Sequence, residues 1–64
     1  MTETLIEIID LLSETKLKIS QMAVEETSEM ASTDKGVEDF IKLVEAADQI
    51  NIVLEDFNKM LLEK

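Results

Sequence analysis

The chain has 64 residues, of which 15 are acidic and six are lysine, giving a formal net charge of −9 with no cysteine, histidine or arginine. The missing types exclude disulfides, thiolate zinc sites, imidazole ligands and a histidine general base. The charge opposes nucleic acid and anionic membranes as partners. A chain this short buries only about 60% of its unfolded surface, so oligomerisation is expected to supply further core.

The opening segment MTETLIE has no basic stretch of a signal peptide, and no apolar run approaches the roughly 20 residues that span a bilayer. A cytoplasmic location is therefore expected. Thr4 followed by Glu7 has capping-box spacing and predicts a first helix over about 4–32. On that helix Leu5, Ile8, Leu12, Ile19 and Met22 trace an apolar row interrupted at Thr15, while Ile6, Leu17 and Val24 point elsewhere and predict a second contact surface. KLKIS at 16–20 alternates like a strand, but one five-residue strand has no partner here, so helix is the expectation.

STDKG holds the only glycine and predicts a turn at about 33–36, followed by a second helix over about 37–62 with Glu38 and Asp39 at its positive end. Phe40, Leu43, Ala47, Ile50, Leu54, Phe57 and Leu61 keep an unbroken 3-4 spacing, widened by Ala46, Val53 and Met60. Each helix would be roughly 40 Å long. The fold expected is all-α: one antiparallel two-helix hairpin domain over residues 1–64, assembling as a homodimer or homotetramer with a four-helix-bundle-like core.

The first row, continued past Met22, lands on Glu26 and Glu29, with Glu25 adjacent. Buried ionised carboxylates cost several kcal/mol unless paired or metal-bound. Glu45 and Asp48 share a face of the second helix, opposite the clean seam and between Ile41 and Ile52. If the chain reverses near 34–35, residues whose numbers total about 69 face each other, and the five carboxylates converge. Such an oxygen cluster suits a hard divalent cation, Mg²⁺ or Mn²⁺. The competing reading is a solvated acidic face.

Glu25-Glu26-x-x-Glu29 followed by Glu45-x-x-Asp48 resembles the EExxE…ExxD signature of the all-α, MazG-like nucleoside triphosphate pyrophosphohydrolases. MAVEETSEMA and LVEAADQINIVLEDF look like the helices flanking that signature, so the likeness spans residues 18–58 and is closest to short, phage-type members. The resemblance implies hydrolysis of a nucleoside triphosphate to the monophosphate and pyrophosphate on an oligomeric helical bundle. It implies Glu25, Glu26, Glu29 and Asp48 as catalytic metal ligands, and Glu45 as a ligand or as a carboxylate orienting water. Lys16, Lys18 and Lys42 are candidates for the phosphates. Asn51 is a candidate for the base or sugar, or alternatively for setting bundle register. The other classes left open are a non-enzymatic acidic interaction protein or inhibitor that mimics nucleic-acid charge, and a structural oligomer subunit.

Overall fold

A computed structural model describes residues 1–63, which are helical almost throughout and contain no strand. The all-α expectation holds. Helix α1 spans Thr2–Glu25, a single turn α2 spans Thr27–Met30, and α3 spans Asp34–Leu62. The 16–20 segment lies inside α1. α3 packs back along α1 in a rod 48 × 15 × 12 Å. None of these helices is long and apolar enough to cross a membrane.

α1 starts two residues ahead of the expected capping box. Met1 is its N-cap residue but supplies no side-chain capping hydrogen bond, and Thr4 and Glu7 are ordinary helical residues. The helix breaks at Glu26, whose backbone sits at φ −106°, ψ 12°, in the sparsely allowed bridge region. A local cause is visible: the Thr27 hydroxyl donates to the Ala23 carbonyl, the acceptor that the Thr27 N–H would use in an unbroken helix. Hydroxyl back-bonding of this kind bends helices.

The reversal falls at 31–33, earlier than the expected 33–36. Ser32 Oγ donates to the Glu29 carbonyl at 2.6 Å, and Thr33 caps α3, its Oγ1 accepting from the Gly36 N–H at 2.9 Å. Gly36 thus belongs to the first turn of α3 rather than to the loop. Its φ is not positive. The constraint is proximity, because a Cβ there would lie 2.7 Å from Met30 Cα and closer still to the Met30 carbonyl oxygen. Only glycine lets α2 and the start of α3 approach this closely.

On α3 all seven predicted seam positions, from Phe40 to Leu61, are half-buried. On α1 the inward row is Leu5, Ile9, Leu12, Lys16, Ile19 and Ala23, which differs from the expected row. Ile8 and Met22 are exposed, lying to one side of it. Lys16 takes the place once read as an interruption at Thr15: it is four residues after Leu12 and three before Ile19, its stem lies in the seam, and its amine reaches the polar edge. There Lys16 Nζ donates to Asn51 Oδ1 at 2.7 Å. This bond joins residues whose numbers total 67, a register two residues tighter than expected.

Candidate functional site

The five signature carboxylates are spread over all three helical elements. Glu25 closes α1, Glu26 sits at the break, Glu29 lies in α2, and Glu45 and Asp48 lie on α3. All five are exposed. They do not point inward as the row predicted, because α1 ends where the row would have carried Glu26 into the seam, and α2 starts a new direction. Glu45 faces away from the seam, five residues along α3 from Phe40 and also from Ile50. The tighter register sets Asp48 level with Ile19, and the two line one groove.

Among the described residues no group of three or more acidic side chains is placed to hold a metal ion. The expected convergence of five carboxylates is therefore not found within one chain, and the residues of a single helix pair do not fit a preformed Mg²⁺ cage. Two of the acids nevertheless occupy neighbouring grooves. Asp48 lines one with Ile19, Ser20, Ala23 and Val44, while Glu25 lines another with Ser20, Gln21 and Val24. Ser20 is common to both, so Glu25 and Asp48 flank the same stretch of surface.

The ion pairs among the described residues are all short-range pairs within one helix. Lys18 pairs with Glu14, Lys35 with Asp39 and Lys42 with Glu38, each at 3.5 Å and four residues apart. Among the described residues none of the five signature carboxylates has a lysine partner. The three lysines considered for phosphate are already engaged, Lys18 and Lys42 by these glutamates and Lys16 by Asn51. Asn51 accepts that bond across the contact between α1 and α3. Sequence reasoning missed Lys16 as an inward residue. Its spacing from Leu12 and Ile19 carried the signal, but a charged side chain was assigned to solvent by type.

No protein-family model, curated protein or solved structure matches this chain.

Proposed function

We propose that the chain is a Mg²⁺-dependent nucleoside triphosphate pyrophosphohydrolase, a short relative of the MazG-like enzymes, working as an oligomer of helical hairpins. The observation that carries this reading is that Glu25 and Asp48 line neighbouring grooves that share Ser20. Among the described residues Glu25, Glu26, Glu29, Glu45 and Asp48 form no ion pair. Acids left unpaired beside an apolar surface suit a cationic ligand. Mg²⁺ is commonly held by one or two carboxylates together with substrate phosphates rather than by an all-protein cage. Such an ion would arrive with the nucleotide, and the Glu25 and Asp48 grooves are where this chain would receive it.

That version of the reading has a specific test. Mg²⁺ alone should scarcely change thermal stability, while Mg²⁺ with a non-hydrolysable nucleoside triphosphate should raise it, by about 2.7 kcal/mol when the nucleotide is at 100 times its Kd. Pyrophosphate release from a panel of nucleoside triphosphates, lost in Asp48→Asn and Glu25→Gln, would establish the activity. Absence of both stabilisation and release rejects it.

A second reading is favoured by the exposure of all five acids: a non-enzymatic interaction protein presenting −9 of charge to a basic partner. There, single neutralisations of Glu25 or Asp48 would leave binding nearly unchanged, because the charge is distributed.

A further inference from the structure

Three shallow grooves on one flank of the helix pair share a single residue, Ser20, and so form one continuous trough. Leu17 and Leu54 line its first stretch, Val44 and Asp48 the middle, and Val24 and Glu25 the end. Leu17 and Val24 are 57% and 76% exposed, so apolar surface on α1 stands uncovered along the trough. From Ser13 to Val24 it follows α1 for about 16 Å, or roughly three helical turns.

The charge in this trough is one-sided. Glu25 and Asp48 form no ion pair. Lys18 and Lys42 each lie two residues from a trough residue, Ser20 and Val44, which turns them to the opposite side of their helices. There Glu14 and Glu38 hold them. Lys35 is held by Asp39 and Lys16 by Asn51. Lys59, the remaining described lysine, is eleven residues from Asp48, about 16 Å along α3. An occupant that brings its own amines therefore gains ion pairs directly beside apolar surface.

That charge selects the occupant. Nucleic acid and anionic lipid are repelled. A second copy, also at −9, would set carboxylates against carboxylates in a closing interface. An extended peptide gains no main-chain bonds, because the backbone of α1 and α3 is committed to its own helices and offers no strand edge. A helix satisfies its own backbone and can present an apolar face flanked by lysine or arginine. The small Ser20, Ala23 and Ala47 leave room for its ridge between α1 and α3.

We propose that the trough along Leu17, Ser20 and Val24 receives a basic amphipathic helix of a partner protein, its apolar face on α1 and its cationic flank over Glu25 and Asp48. The proposal rests on the second reading above, the acidic interaction protein, and replaces diffuse charge with one oriented groove.

The probe is a fluorescein-labelled helical peptide of about four turns, with leucines on one face and lysines on its flanks, added to the full chain in EDTA without nucleotide. The expected result is binding in the micromolar range by fluorescence anisotropy, with backbone amide shifts centred on Leu17, Ser20 and Val44. Ser20→Arg, which fills the trough with a like charge, should weaken binding about tenfold. Thr15→Arg, the same change in charge on the other side of α1, should weaken it by no more than about twofold. Circular dichroism checks that each variant folds, and Leu17→Arg replaces Ser20→Arg if the latter does not. Absence of binding, equal binding of the same residues re-ordered to remove the apolar face, equal binding of a leucine and glutamate peptide, or equal weakening by the two variants overturns the proposal. So do concentration-dependent shifts at Ser20 and Val44 without peptide, which would assign the trough to a second copy. Equal weakening leaves the diffuse-charge reading standing, and the absence of metal and nucleotide keeps every outcome separate from the proposed hydrolysis.

Discussion

α3 and the α1–α2 segment are nearly equal in helical content, 29 residues in one piece against 24 and four in two, yet they are built differently. α3 keeps a 3-4 apolar seam over its whole length, and every seam residue is half-buried. The row on α1 passes through Lys16 and ends at Ala23, and the helix breaks where the next seam position would be Glu26. Nonetheless the one buried side chain among the described residues, Leu5, is on α1. Regular spacing sets which side of a helix faces inward, and depth of burial then depends on what the partner offers at that level. Leu5 has Phe57 and Met60 around it, whereas Ile19 faces the smaller Ala47.

The largest effect expected follows from that contrast. Leu5→Ala should cost about 3 kcal/mol, in the range for truncating a buried leucine, while Leu17→Ala on the exposed side of the same helix should stay within roughly 0.5 kcal/mol. Urea unfolding followed by circular dichroism checks both, and equal losses would mean that Leu5 is not the anchor of the helix pair. Next in size is Gly36→Ala. The added methyl meets Met30 backbone rather than a movable side chain, so the turn must open, at a cost of about 2 kcal/mol. A neutral result would show that α2 shifts freely against α3.

How legible this was in the sequence differed between the same two regions. The α3 seam could be read residue by residue, since nothing in it departs from apolar type. The α1 row could not, because Lys16 is inward by spacing and outward by type, and choosing type moved the row onto Ile8 and Met22. The acids were misplaced for a separate reason. A row drawn through Met22 carries Glu26 and Glu29 inward, whereas the break at Glu26 and the back-bonded Thr27 turn them to solvent. Backbone breaks fixed by a hydroxyl choosing its acceptor leave little trace in periodicity, since threonine is also common in intact helices. Gly36 was found as punctuation but misassigned in role, its need being space beside Met30 rather than an unusual φ.

Glu26→Leu tests whether α1 is broken by its charge. A leucine at the next seam step should bury apolar surface worth about 1 kcal/mol if the helix closes over 23–30, with a gain in far-ultraviolet helical signal. If Thr27 is the cause instead, Thr27→Ala will restore the helix and Glu26→Leu will not. Either variant that makes α1 continuous would render the two regions alike.

The smallest effect expected, and the most discriminating, is Lys16→Leu. The substitution fills the gap in the α1 row and should add a fraction of the burial energy of a leucine, because the site is only half-buried. Against this it removes the 2.7 Å bond to Asn51, worth about 1 kcal/mol or less at an exposed edge. The net change in stability is expected to be a gain of about 0.5 kcal/mol, the difference between those two contributions. The consequence for register should be larger than the consequence for stability, since a row of interchangeable leucines lets α1 slide by a turn against an equally regular α3. Distances between spin labels placed on Gln21 and Gln49 should be narrowly distributed in the native chain and broader or bimodal in Lys16→Leu. A narrow, unshifted distribution would mean that the turn at 31–33 alone holds the register, and that Lys16 and Asn51 contribute only one more surface bond.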